Sequence, residues 1–589
     1  MPRPSNPYRQ IPRILSLMNS AVAEGIGRLQ QNRTAAGVLL FAILLAHFSG
    51  VRALNPPGLF GLSQDDSLYF SSAKALAEGR GYVLPSLPGS PAATKYPILY
   101  PWLLSWVWRI NPTFPANLSW AIALTYFFAV AAILLCYLFC RSSLHLQRLQ
   151  SLGVTAFLAL HPAFIFYSAR VMTDVPFTAL TLCFLLLASR AAEPETSVKW
   201  AVWAGLVASL CIFLRLAGVA FLAGAVVALV LAKLWRKMFV FLASCAPGIS
   251  YFLYQSWFHL NSPPPVPFLS NLPGWQQTWF YYTSYRAFRH LDSPDLHSTL
   301  TLLLNQALYL VSAISAYFTS PVSERNLVFW FVSAVVLFML FLLAAIRHFV
   351  AGKGKRATVI SVFFAYILLL LGWDYVEWER FLLPFVPVIT ALIASEAFRC
   401  WAHFPDSRAG ALAKALFAVL TLGFVGLAGT VAWNYAVENR KSHAEARFRR
   451  ESALPEKLWA YNWLRLNTSP QDVSIATEGG LAFLYSGRKF INFTVLMPLD
   501  LYDRRRLEHD LDHMPDVALA LDARYWVITS TDSQTQLRAF EGQLRERLAH
   551  WESLLPRVYI TPGGTIRIYD LQCLRRRLAR DLPCSDRCP

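Results

Sequence analysis

Apolar runs of bilayer-crossing length recur between residues 35 and 433, and this feature limits the fold more sharply than any other. They fall at about Ala35 to Val51, Leu118 to Cys140, Leu152 to Tyr167, Val175 to Ala188, Trp200 to Leu214, Leu216 to Ala232, Met238 to Trp257, Leu327 to Ile346, Val359 to Trp373, Phe381 to Ala397 and Ala413 to Trp433. A helix of about 20 apolar residues crosses the roughly 30 Å of hydrocarbon, and in lipid each backbone N–H and C=O must be satisfied within the protein. The runs therefore predict an all-α polytopic membrane protein with about eleven transmembrane helices. A content of 55% hydrophobic against 15% charged residues, with mean hydropathy +0.39, is too apolar for a soluble globular chain.

The net charge of +18 invites a nucleic-acid reading, but Lys and Arg are scattered through short loops rather than gathered into a basic domain. Their placement orients the chain instead. Arg28 and Arg33 precede the first run, Arg141 and Arg148 follow the second, and Arg190 and Lys199 flank the loop from the fourth to the fifth. Lys233, Arg236 and Lys237, then Arg347, Lys353, Lys355 and Arg356, and finally Arg399 and Arg408 continue on the same side. By the positive-inside rule this side is cytoplasmic, as is the basic leader 1–34, which offers no cleavable signal. The domains expected are that leader, a transmembrane domain over 35–433 and a C-terminal domain over 434–589 outside the plasma (inner) membrane.

Two apolar stretches depart from a simple count. Ile98 to Ile110 is short and rich in Trp, Tyr and Pro, so it is expected as an interfacial helix within the first outer loop, 54–117. Leu302 to Phe318 is assigned likewise within the outer loop 259–325, because a crossing there breaks the charge pattern. Beyond Trp433 the pattern changes to short strands, at Val473 to Thr477, Lys489 to Thr494, Tyr525 to Thr529 and Thr565 to Tyr569. Helical patterns at Pro455 to Leu466 and Gln534 to His550 interleave with them, which predicts a soluble α/β domain. Cysteines 136, 140, 183, 211 and 245 lie in apolar runs as packing residues, whereas Cys584 and Cys588 can pair if they face an oxidising compartment.

The predicted outer face collects the residues with chemistry to offer. Asp65 and Asp66 follow the first run in Gly61-Leu-Ser-Gln-Asp-Asp-Ser-Leu-Tyr-Phe70. Adjacent acids repel each other and are retained more readily where an acceptor group, a metal or a cation uses them, although starting the helix Ser67 to Ala77 is an alternative role. Arg170 and Asp174 stand at the mouth of the loop between the third and fourth runs, either as a local ion pair or as part of a site. Lys95 and Arg380 supply cations that suit an anionic lipid headgroup, snorkelling being the alternative for each.

The acidic pair, the Lys-Tyr-Pro-Ile-Leu-Tyr stretch from Lys95 to Tyr100, the Met-Thr-Asp-Val-Pro loop from Met172 to Pro176, and Arg-Phe-Leu-Leu-Pro from Arg380 to Pro384 together resemble the GT-C superfamily of polytopic glycosyltransferases. The likeness is to the branch with protein O-mannosyltransferases and lipid A aminoarabinose transferases, over roughly Ala35 to Trp433. It departs where Asp66 stands in place of Glu and where Tyr96 replaces the first proline of a Lys-Pro-Pro pattern. The resemblance implies a polyprenyl-phosphate sugar donor, a lipid, glycan or protein acceptor, and inversion at the anomeric carbon. It assigns acceptor activation to Asp65 with Asp66 and Asp174 in support, and donor-phosphate contacts to Lys95, Arg380 and Arg170, with Tyr69, Tyr96, Tyr100 and Glu379 lining the substrate. It requires no cofactor; a divalent metal bridging Asp65, Asp66 and phosphate is possible but not indicated. A transporter or flippase of lipid-linked sugars is the rival reading, weakened by the lack of repeat symmetry and by charges gathered at one face rather than the midplane.

Overall fold

The computed structural model describes residues 32–54, 60–61, 64–93, 96–261, 296–316, 327–351, 354–372, 378–403, 455–476, 478–492, 522–529, 549–550 and 552–572. Each predicted apolar run is helical except Ala413 to Trp433, which lies outside the described residues. In chain order the helices are α1 (Arg33–Leu54), α2 (Gln64–Ala77), α3 (Leu99–Ile110), α4 (Leu118–Ser142), α5 (Arg148–Leu160), α6 (Pro162–Ser168), α7 (Asp174–Ala191) and α8 (Lys199–Leu214). There follow α9 (Val219–Leu231), α10 (Trp235–Asn261), α11 (Leu296–Ala316), α12 (Leu327–Ala351), α13 (Lys355–Leu371), α14 (Trp378–Leu382) and α15 (Val386–His403).

Among the described residues five helices are long and apolar enough to cross a membrane, or six if α5 and α6 form one bent span. Several of the predicted eleven are short: α8 has 16 residues, a rise of about 24 Å against roughly 30 Å of hydrocarbon. The third predicted run is not one helix. Extended backbone at His161 (φ −64°, ψ 128°) and Pro162 at the next helix's start bend it by 60°; proline lacks the N–H that would continue the ladder but fits a first turn. Large apolar side chains such as Phe41, Trp120, Phe127, Trp203, Phe239 and Leu368 face outward from the bundle. A chain that leaves such groups exposed on many helices has lipid as its solvent, and this is a multi-pass membrane protein.

Inside the bundle small residues let helices close on one another. A Cβ on Gly224 of α9 would lie 2.4 Å from Val362 Cα on α13, one on Gly205 of α8 2.6 Å from Phe241 O on α10, and one on Gly248 of α10 2.7 Å from Ser209 Cα on α8. Such close approach gains dispersion contacts where lipid supplies no hydrophobic drive between helices.

The end holding Glu193, Lys237, Arg347 and Lys355 is stitched by ion pairs. Lys355 meets Glu193 at 2.7 Å and Arg347 meets Glu396 at 2.5 Å, while Lys237 Nζ donates to Glu193 O and to Thr196 Oγ1.

The C-terminal region contains a helix over 455–467, here α16, a helix α17 (Gly479–Ser486), and a five-stranded sheet. Its strands are β1 (Val473–Ala476), β2 (Lys489–Asn492), β3 (Ala523–Thr529), β4 (Arg557–Ile560) and β5 (Ile566–Asp570), in the order β2-β1-β3-β5-β4. β1 runs parallel to β2 and β3, and β5 runs antiparallel to β3 and β4. Four of these strands occupy predicted positions; the fifth, β4, was not predicted although Val558, Tyr559 and Ile560 suit a strand, and its side chains are mostly exposed. The predicted helix Gln534 to His550 and the pair Cys584 and Cys588 fall largely or wholly outside the described residues.

This domain sits on the segment that carries the acidic pair. Gly480 of α17 meets α2 so closely that a Cβ would stand 2.5 Å from Ser67 Oγ. Phe490 N–H of β2 donates to Ser86 O at 2.7 Å, the Phe114 and Tyr485 rings meet at 4.8 Å, and Lys74 Nζ lies over both Trp108 and Phe483.

Candidate active site

The candidate site begins with Asp65 and Asp66 in the first turn of α2, where acids complement the helix's partial positive charge. The two carboxylates part company there. Asp66 is 1% exposed and accepts N–H bonds from Gly61 (2.8 Å) and Ser67 (2.6 Å), which anchor the loop to the helix start. Burial raises its pKa to about 7, opposed by the Gly61 and Ser67 donors and the Arg170 cation. Asp65 remains 22% exposed at its side chain and looks the other way. Its Oδ2 accepts from Arg380 Nη2 at 2.9 Å and its Oδ1 from the Tyr96 hydroxyl at 2.5 Å.

Tyr96 reaches Asp65 because a short hairpin turns the chain back. Val83 bridges Ala92, Ala93 N–H donates to Tyr82 O at 3.0 Å, and the Tyr82 hydroxyl donates to Tyr96 O at 2.8 Å. From α10 the Tyr251 hydroxyl accepts the Ile98 N–H at 3.2 Å. Tyr69, one turn along α2 from Asp65, packs its ring at 4.7 Å from that of Tyr96 and 5.5 Å from that of Tyr100. Tyr100 is wholly buried with its hydroxyl 2.8 Å from Thr125 Oγ1, a layer behind Tyr69. Burial raises the pKa of Tyr69 and Tyr100.

Asp174 opens α7 and is 0% exposed. Its Oδ1 accepts from Arg380 Nε at 2.8 Å and from Arg215 Nη1 at 2.7 Å. A buried carboxylate needs such partners, since losing water costs several kcal/mol or more per ion. Arg380 lies at the end of α14, just before the 3-10 turn Leu383–Phe385, and the Tyr366 hydroxyl of α13 donates to the neighbouring Phe381 O at 2.9 Å. Arg170 does not pair locally with Asp174. It lies buried over the Phe166 ring, its guanidinium 4.0 Å from the centroid, with its charge felt at Asp66.

The structure thus gathers Asp65, Asp174, Arg380, Tyr96 and Tyr69 at one place, with Asp66 and Arg170 behind α2. Lys95 and the Glu379 side chain lie outside the described residues. Arg215 is the group that sequence reasoning missed. It interrupts two apolar runs between Leu214 and Leu216, and a lone arginine at such a boundary reads as a snorkelling side chain; its placement opposite the predicted cytoplasmic charges was the available signal. Among the described residues no three His, Cys, Asp or Glu side chains gather around a point suited to a metal ion.

Such a cluster offers one partly exposed carboxylate, held by a cation and a phenol, beside two arginines that share a buried anion. It can accept a proton at Asp65 and stabilise negative charge arriving near the guanidinium groups.

No protein-family model matches the chain, and no curated protein does. Solved structures do. The Archaeoglobus fulgidus oligosaccharyltransferase tethered with an acceptor peptide containing the NVT sequon is similar with TM-score 0.52 at 13% identity, over 91% of this chain and 74% of that one. The same organism's oligosaccharyltransferase in complex with Zn and sulfate gives TM-score 0.50 at 14% identity, over 93% and 74%. ArnT from Cupriavidus metallidurans bound to undecaprenyl phosphate gives TM-score 0.47 at 14% identity, over 92% and 98%. Over most of its length the chain therefore shares its fold with the archaeal oligosaccharyltransferase structures.

Proposed function

We propose that the protein is an integral-membrane glycosyltransferase that moves a sugar from a polyprenyl-phosphate donor to an acceptor at the outer face of the membrane, with inversion. The observation that carries this reading is the division of the three carboxylates: Asp174 and Asp66 are buried, whereas Asp65 is accessible and held against Arg380. A proton acceptor must touch its substrate, so Asp65 alone of the three suits the role of general base. The fold shared with the oligosaccharyltransferase structures supports the same reading.

In the proposed step the acceptor's N–H or O–H gives its proton to Asp65 while its heteroatom bonds to the anomeric carbon. The bond from that carbon to the donor phosphate oxygen breaks, and polyprenyl phosphate departs with the electron pair. Tyr96 and Arg380 aim the Asp65 carboxylate, general-base help being worth roughly 10²- to 10⁴-fold. Arg380, joined by Lys95, stabilises the leaving phosphate, where guanidinium geometry suits two oxygens at once. Asp66 and Arg170 hold the helix start behind Asp65; Asp174 holds Arg380. Tyr96, partly exposed beside Asp65, faces the sugar, with the buried Tyr69 and Tyr100 packed behind it, and Glu379, next to Arg380 in sequence, is the remaining candidate for the substrate lining.

The test is transfer of label from radiolabelled polyprenyl-phosphate sugars to components of an envelope extract by purified protein in detergent. Transfer by wild type and its loss in Asp65→Asn, with donor binding retained, supports the reading. Equal turnover in both removes Asp65 from the chemistry, and lipid translocation in liposomes without transfer replaces the reading by a flippase.

A further inference from the structure

An arginine offers its Nε–H and Nη2–H as a parallel pair that ordinarily grips one carboxylate with both prongs. Arg380 divides that pair. Its Nε donates to Asp174 Oδ1 at 2.8 Å and its Nη2 to Asp65 Oδ2 at 2.9 Å. Asp174 is the more buried acid and, with its Oδ2 lacking a hydrogen-bond partner among the described residues, has reason to claim both prongs. Arg215 weakens that claim by bringing a second cation to the same carboxylate, its Nη1 donating to Asp174 Oδ1 at 2.7 Å.

Arg215 is built to stay there. Its backbone is extended (φ −148°, ψ 130°) between α8 and the 3-10 turn Leu216–Gly218, its N–H caps Cys211 O, and its guanidinium lies 5.2 Å from the Phe381 ring and 5.7 Å from that of Phe177. The side chain is 14% exposed.

We propose that Arg215 is a positioning residue of the transfer reaction: by sharing Asp174 Oδ1, it leaves one prong of Arg380 committed to Asp65 and the guanidinium poised beside the departing phosphate. The inference rests on the glycosyltransferase reading of the site and deepens it. Without the Arg215 charge, Arg380 closes both prongs on Asp174 and withdraws from Asp65. Among the described residues, Asp65 then keeps its neighbour Asp66, the phenols of Tyr69 and Tyr96 and the more distant Arg170 charge felt at Asp66, and has lost the Arg380 cation that contacted it.

The experiment compares wild type, Arg215→Met and Arg215→Lys by kcat, donor KM and the pH profile of kcat/KM. In Arg215→Met the donor KM rises roughly tenfold, as for loss of one charge-assisted hydrogen bond. The acid limb of its profile moves to higher pH by about one unit, because a carboxylate that loses a contacting cation takes up a proton more readily. Arg215→Lys recovers most of both, since an ammonium still neutralises Asp174. An unchanged acid limb and donor KM in Arg215→Met overturn the proposal, as does a lysine variant no better than methionine; a purely structural arginine would lower melting temperature without moving the limb. If wild type transfers no sugar, the functional reading fails, and a stability cycle over Arg215→Met, Arg380→Met and the double variant still decides the coupling. Non-additive melting-temperature losses support it and additive losses overturn it.

Discussion

Asp65 and Asp66 are chain neighbours whose surroundings differ because successive side chains on a helix point about 100° apart. Asp66 turns into the protein beneath Gly61, whereas Asp65 turns toward Arg380. The folded pKa of Asp66, about 7, lies above its unfolded value of 3.8. The stability it lends is therefore fully present below the unfolded value and is lost as pH rises through the folded one. Asp66→Asn, neutral throughout, should lack this fall, so the difference in melting temperature between wild type and variant should change between about pH 4 and pH 7 and stay flat above. A difference curve flat over the whole range would refute the assignment. Asp174→Ala takes from Arg215 its carboxylate and leaves Arg380 with Asp65, and should cost about 3–5 kcal/mol in detergent melting, whereas Asp174→Asn should cost less and still impair transfer. The candidate acids and Arg380 were legible as residue types in predicted outer loops. Which acid faces solvent was not, because that depends on the helix phase and on Arg380, 315 residues away in sequence.

At the scale of elements, the α9–α13 contact ties packing to the site. Gly224 lets α9 lie against Val362 of α13, and α13 carries Tyr366, whose hydroxyl holds Phe381 O beside Arg380. Gly224→Leu should therefore cost about 1–3 kcal/mol by overpacking and lower transfer in the protein that remains folded. Melting temperature and turnover per folded molecule would check it; full turnover would uncouple the two. Helix existence was readable from apolar length, and the amphipathic α3 from its aromatic stretch, with Tyr100, Leu104 and Trp108 buried and Trp102 and Trp106 exposed. The break at His161 was not, since Pro162 sits where a proline is equally at home in a first helical turn.

For the whole molecule, the C-terminal domain bears on the helix that presents Asp65. Gly480→Leu places a side chain where Ser67 Oγ already stands, so it should lift α17 from α2 and lower transfer at least severalfold while the membrane helices stay folded. Faster proteolysis around residues 479–492, read beside turnover, would mark the separation; unaltered turnover would remove the domain from control of α2. By itself the sequence determined the membrane class, the apolar helices, the switch to an α/β region and the gathering of acids and cations into predicted outer loops, because each follows from composition, spacing or charge within a short window. Only the tertiary structure decided that Asp65 alone remains accessible, that Asp174 joins Arg215 to Arg380, and that Gly480 seats one domain on the other. Those outcomes are contacts between segments far apart in the chain, and they exist only once helix packing has brought the segments together.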